Sequence, residues 1–191
     1  MIETLKSIID SYNSGLLSTP NIQVVEKKLS DETIKFSSEL IDDLTFSCST
    51  FKNSHLINMH FVNVNFESSF FEGCIIENCI FENTILRAAE YDNCVFTDCF
   101  FINCNLTESD FTETTFKECT LSRGNLGNSL FELCHFVKTI FKELEGGSLG
   151  SAVLVDSTFS NSKKSIEFKG NVYFNDILNQ INKLYNEARD P

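Results

Sequence analysis

The stretch Cys104–Asn128, CNLTE SDFTE TTFKE CTLSR GNLGN, decides the fold because it repeats every five residues. Its third positions are Leu106, Phe111, Phe116, Leu121 and Leu126, all large and apolar. Its first positions are Cys104, Ser109, Thr114, Cys119 and Gly124, all small. A period of five matches neither a helix, at 3.6 residues, nor a strand, at 2. It suits a square solenoid with four five-residue sides per coil. The large residue points to the axis, the small one fills the space beside it, and the other three face solvent.

Outward from this stretch the pattern holds without a break. Every fifth residue from Phe46 to Phe141 is large and apolar, and 13 of the 19 Phe fall on these positions. At a background of roughly three large apolar residues in ten, such a run does not arise by chance. Two residues earlier runs the second lattice, Ser49 to Thr139, small everywhere except Met59 and Val64. It holds seven of the eight Cys; only Cys48 lies off it, at an outward position.

This pattern resembles that of the pentapeptide repeat proteins, A(D/N)LXX, with Cys104–Asn128 as the best match. The resemblance covers residues 36–159. It implies an all-β solenoid, a right-handed quadrilateral β-helix with no active site. The best-understood members bind DNA gyrase and its relatives through a likeness to duplex DNA.

Twenty residues per coil predict about five to six coils, each rising about 4.8 Å. The phase slips after Phe141: Leu149, Leu154 and Phe159 continue at five but out of step. The slip lies in Lys142–Ser148, KELEGGS, read as a small bulging loop with about one further coil beyond it. Phe36 and Ile41 keep the register upstream. The expected organisation is an N-terminal helix and capping segment at 1–35, the β-helix at 36–159, and a linker with an amphipathic helix at 160–191. Residues 2–13 place Ile2, Leu5, Ile8, Ile9 and Tyr12 on one helical face, and 22–36 read as one or two short strands or a hairpin. The tail, 174–188, carries the stripe Ile177, Leu178, Ile181, Leu184 and Tyr185, which suits a cap or a homodimer contact.

Because the inward positions are known, the rest becomes a surface map. One side, around 51, 71, 91, 111 and 131, gathers Glu72, Glu90, Asp92, Asp110, Glu113 and Glu132, with Lys52 the only base. Over a rise of about 14 Å, duplex DNA carries about eight charges, so these six are of the right order for a DNA mimic. Two neighbouring sides carry outward Ile57, Val62, Ile75, Ile80, Val95, Phe100, Ile102 and Ile140. They form an expected apolar patch, to be covered by the N-terminal helix, by the strands at 22–36, or by a partner. The fourth side, around 66, 86, 106 and 126, is mostly Asn, Thr, Ser and Gly and carries no functional signal.

Composition narrows the function. With 27 Asp+Glu against 15 Lys+Arg the net charge is −12, which argues against direct nucleic-acid binding. No apolar run approaches a membrane span and the N-terminus shows no signal pattern, so a cytoplasmic location without membrane contact is expected. The Cys spacing is always a multiple of five and Ser, Thr, Ala and Gly share the slots, which fits core filler and no metal site. His55 and His135 share a side but lie four coils apart, about 19 Å, and His60 sits on another. No catalytic residues and no cofactor are expected. The first function class is a binding protein that modulates or neutralises a macromolecular partner. The partner is a topoisomerase met by DNA mimicry, or a toxin met by an immunity protein. The second is a structural scaffold without inhibitory role, and the third an enzyme, for which no cleft or motif speaks.

Overall fold

The structure, a computed structural model, describes residues 44–160 continuously, with 28–30, 33–34, 40–42, 166–170 and 172–174. It is an all-β solenoid of about six turns. Among the described residues two parallel sheets have eight strands and a third has seven. Side 1 runs through Thr50–Lys52, Phe70–Glu72, Glu90–Asp92, Asp110–Thr112 and Leu130–Glu132. Side 2 runs through His55–Ile57, Ile75–Glu77, Val95–Thr97, Thr115–Lys117 and His135–Val137. Side 3 runs through His60–Val62, Ile80–Glu82, Phe100–Ile102, Thr120–Ser122 and Ile140–Lys142. Among the described residues side 4 has no sheet, only single parallel bridges stacked from Thr45 through Asn65, Ile85, Asn105 and Asn125 to Glu145.

Each strand from Thr50 to Ser160 is three residues because the five-residue period leaves room for no more. The middle residue is buried and its two neighbours point outward. Two residues after each buried large side chain the backbone turns through positive φ, as at Asn53 (47°), Asn78 (50°) and Asn103 (55°). Asn tolerates this conformation best among residues with a side chain. Its amide groups also stack: Asn78 donates to Asn58 at 2.8 Å and Asn103 to Asn83 at 3.2 Å. Side 4 stays out of the sheets because Asn65 and Asn125 use their side-chain oxygens to accept the N–H of Glu67 (2.8 Å) and Gly127 (2.9 Å). These local turns compete with an extended strand.

Leu133 holds the same corner conformation (φ 56°) with 46% of its surface exposed. A γ-branched apolar residue gains nothing there and bears the left-handed strain. Leu133→Asn is therefore expected to stabilise the fold by about 0.5–1 kcal/mol, read as a higher urea midpoint at unchanged slope.

The axis is filled by stacked rings. Phe51, Phe71, Tyr91, Phe111 and Phe131 form one column with centroid spacings of 4.5, 4.8, 4.5 and 4.5 Å. Phe96, Phe116 and Phe136 form another at 5.0 Å. Neighbouring columns meet edge to face, as for Phe116 and Phe131 at 6.0 Å and 62°. Small-lattice residues line the spaces and donate to carbonyls of the turn below. Ser69 reaches Phe46 at 2.7 Å, Cys74 reaches Phe51 at 3.3 Å and Thr139 reaches Phe116 at 3.0 Å. Most of these slots thus hold a small residue with a polar hydrogen, while Ala89 and Gly124 fill theirs by size alone.

The segment 142–148 is a shortening, not a bulging loop. Phe131 pairs with Leu149, an offset of 18 where the earlier turns have 20. The missing large residue is replaced by Leu144, which is fully buried two positions early. It packs over Gly124, where a Cβ would already lie 3.5 Å from the Leu144 Cδ2. Gly147, at φ 92°, closes the corner, and a Cβ there would meet that of Leu126 at 2.9 Å.

The sheets also extend past 36–159. Lys28–Ser30 and Thr33–Ile34 pair in parallel with Thr50–Lys52 and His55–Leu56, so they continue the solenoid at its end. They do not form a hairpin over its sides. Glu167–Lys169 and Tyr173–Phe174 continue sides 1 and 2 at the other end. Phe36, the helical segment expected at 2–13 and the stripe expected at 177–185 lie outside the described residues.

Candidate protein interface

Side 1 brings the six acids together as the pattern required, in two outward columns and a corner. Glu90 stacks on Asp110 and Glu72 on Asp92 in register across adjacent strands. Glu132 stands two turns from Asp92 in the same column, beyond Thr112, and Glu113 occupies the next corner (φ 50°). Like charges directly opposite one another on a sheet oppose folding, so their presence needs a reason.

The pairing of the other acids sharpens that point. Lys52 neutralises Glu72 at 2.8 Å. On side 4, Arg87 bridges Glu67 at 2.7 Å and Glu108 at 2.6 Å. Its hydrogen bond to Glu67 and the charge of Glu108 hold the guanidinium proton more firmly than usual. Lys138 meets Glu118 at 3.2 Å and holds that carboxyl below its ordinary range. His60 meets Glu82 at 3.0 Å. Among the described residues Glu90, Asp92, Asp110, Glu113 and Glu132 make no ion pair. The Glu132 carboxylate lies over Gly150, a position that a side chain would fill. Phe70 and Leu130, both half-buried, bracket Glu90 and Asp110 in the same column.

The apolar residues do not form one surface. Ile75 and Val95 stack on side 2, and Ile80 and Phe100 stack on side 3. Between them run the Glu77–Thr97 column and the corner residues Asn78 and Asp98. The expected single patch is thus two strips, because a corner intervenes every five residues. Phe100 is 42% exposed and Val95 37%, while Ile57, Val62, Ile75, Ile80 and Ile102 are half-buried.

Side 4 held what the sequence reading passed over. Besides the Glu67–Arg87–Glu108 bridge, it carries a concavity of about 360 Å³ lined by Thr107, Glu108, Asn125, Gly127, Asn128, Glu145 and Gly146. The cause is local: Gly127 has no side chain, and the shortened corner leaves the turn above it incomplete. Stacking residues twenty apart (67, 87, 107, 127) would have revealed the ion pairs.

Seven cysteines are buried and Cys48 is exposed. Burial pushes the thiols of Cys104 and Cys134 up to about 12, which leaves almost no thiolate near neutral pH. Native protein treated with a thiol reagent is expected to yield one fast-reacting group, Cys48, and seven more only on unfolding. A second fast thiol in the native state would contradict this packing. Among the described residues no three His, Cys, Asp or Glu side chains form a group suited to a metal ion. Among them, too, no helix is long and apolar enough to cross a membrane.

Comparison with known proteins places the repeats. The family model described as a pentapeptide repeat region matches residues 74–148, and that described as pentapeptide repeats (8 copies) matches 46–83. No curated protein matches the chain. Among solved structures, a trypsin-treated form of QnrB1, a plasmid-mediated fluoroquinolone resistance protein, is similar at 15% identity. That match covers 86% of this chain and 97% of the other, with a TM-score of 0.44. HetL, a pentapeptide repeat protein involved in heterocyst differentiation regulation from the cyanobacterium Nostoc sp. strain PCC 7120, is similar at 10% identity. It covers 87% and 94% of the two chains, with a TM-score of 0.31.

Proposed function

The chain belongs to the pentapeptide repeat family, and on that premise we propose that it is a non-enzymatic binding protein whose side 1 engages a basic surface of a protein partner. The observation that carries this reading is the contrast in pairing. Glu67 and Glu108 on side 4, Glu82 on side 3 and Glu118 at the corner between sides 2 and 3 each meet a base, and Glu77 and Asp98 do not, but among the described residues only side 1 gathers a group of unpaired acids, Glu90, Asp92, Asp110, Glu113 and Glu132. A solenoid side is rigid and straight, so its charges are held at fixed intervals before any partner arrives. Such preorganisation favours both rapid encounter and register.

The partner class that best matches evenly spaced carboxylates is a surface built to hold duplex DNA. We place a gyrase-type topoisomerase first. Titrating the protein into a gyrase supercoiling assay is expected to change supercoiling, or poison-induced cleavage, in a salt-sensitive way. No effect on either at concentrations well above the enzyme would sink the topoisomerase assignment. A second reading is a toxin neutralised by this surface, favoured by Phe70 and Leu130 on side 1, since a mixed acidic and apolar face resembles an ordinary protein interface more than DNA. It predicts capture of a basic protein that releases in high salt, with gyrase unaffected.

A further inference from the structure

Away from the acids of side 1, we propose that two copies of this chain pack side 2 against side 2, with their solenoid axes antiparallel. The twofold axis of the pair runs along the strand Val95–Thr97.

The outward residues of side 2 form two columns in register. One reads His55, Ile75, Val95, Thr115 and His135, the other Ile57, Glu77, Thr97, Lys117 and Val137. Val95 is exposed, and Ile57, Ile75 and Val137 are half-buried. Glu77 and Lys117 are exposed, and among the described residues they make no ion pair. They stand two turns apart in one column, about 10 Å, with Thr97 between them.

Reversing the solenoid axis turns this spacing into complementarity. In a twofold contact, a residue i that touches j is itself repeated as j touching i. About Val95–Thr97, the first column lies on the first and the second on the second. Glu77 of each copy meets Lys117 of the other, so both unpaired charges are matched twice over. Ile57 meets Val137, Ile75 meets Thr115, His55 meets His135, and Val95 and Thr97 each meet their own copy. At the corner between sides 2 and 3, Lys138 and Glu118 meet Asn58 and Asn78, and Asp98 meets its own charge on the axis. That is one repulsion at the border against two ion pairs within the face.

The other sheets do not share this symmetry. Side 1 laid on itself in the same way sets Glu90 and Asp92 each on its own copy. On side 3 Glu82 is already held by His60 at 3.0 Å. The contact is small. Five strands at about 4.8 Å make a strip about 24 Å long and three residues wide, below the roughly 800 Å² per partner of a standard interface. The dimer is therefore expected to be reversible, with a dissociation constant on the order of 10–100 µM.

Sedimentation equilibrium of the full chain alone, from about 1 to 500 µM at low salt, tests this. The unmodified chain is expected to pass from monomer to dimer. Lys117→Glu sets carboxylate on carboxylate and Glu77→Lys sets ammonium on ammonium, and each is expected to weaken the dimer at least about tenfold. The double variant, Glu77→Lys with Lys117→Glu, restores both pairs and is expected to dimerise as the unmodified chain does. Mixing the two single variants is expected to give a heterodimer, because all four charges then face an opposite. That rescue also shows that both variants fold. A monomer at every concentration would overturn the proposal. So would a dimer indifferent to either single substitution, which would place the contact elsewhere, or a loss that neither the double variant nor the mixture repairs. No partner of side 1 enters these measurements, so failure here and failure of the partner assignment are separable.

Discussion

Phe116→Ala is expected to lower stability by about 3–5 kcal/mol, a large part of the roughly 5–15 kcal/mol available to a domain. Phe116 has no exposed surface and stacks at 5.0 Å on both Phe96 and Phe136. It also meets Phe111 at 5.5 Å, Phe131 at 6.0 Å and Phe101 at 6.3 Å. The cavity left behind cannot close, because backbone ladders above and below hold the turns at strand spacing, about 4.8 Å. The position is central, and each turn of a solenoid touches only its neighbours. Loss of the ring therefore weakens the coupling between the two halves as well as the site. Urea unfolding is expected to show a lower midpoint and a shallower, split transition. Phe159→Ala offers the comparison: its ring stacks on Phe141 at 4.5 Å but is only partly buried, near the end. Its cost is expected to be about 1–2 kcal/mol, with the transition left single. Equal costs at the two positions would show that the rings do not act as a continuous column.

Glu90→Lys separates stability from function by sign. Glu90 faces Asp110 directly across the ladder of side 1. Replacing the acid by a base turns a repulsive pair into an attractive one, worth about 0.2–1 kcal/mol in favour of the fold. The same change puts a positive charge at the centre of the surface that we propose meets a basic partner. Binding is expected to fall at least about tenfold, chiefly through slower association at low salt. Lys52→Glu provides the counterpart: it frees Glu72 of its partner at 2.8 Å and is expected to strengthen binding while weakening the fold slightly. If Glu90→Lys leaves partner binding unchanged, side 1 is not the interface.

The sequence carried the interior of this molecule almost completely. The Phe column and the small slots were legible because a buried position in a five-residue period admits few substitutes, and the residues found there, Phe116 and Cys119 among them, are those the pattern assigned. The gathering of six acids on one side followed from the same arithmetic. Three features were harder to read. Leu144 compensates for a shortened corner from the wrong lattice, so it looked like loop. Leu29 pairs with Phe51 at an offset of 22 residues, which takes the first turn out of the register that revealed the others. The concavity on side 4 arises from an absence, the side chain missing at Gly127 and the residues missing from the corner, and hydrophobic periodicity has no symbol for what is missing. The corner signal was present too: Asn recurs two residues after the buried large side chain, at 53, 58, 63, 78, 83, 93, 103 and 128, because the backbone there is left-handed.

The shortened corner at 142–148 has a consequence for how this chain can change length. It removes two residues yet restores the phase, so the three sheets run straight through it. A gain of twenty residues would act as a ruler, lengthening every side by one step. A gain of five would act as a quarter-turn of a dial, carrying all later residues to the next side. Glu72, Asp92 and Glu132 share a side only because no such quarter-turn separates them. The acidic surface is therefore a property of chain length between its members as much as of the residues themselves, and a five-residue deletion between them, such as 103–107, would carry Asp110, Glu113 and Glu132 to another side without touching one carboxylate.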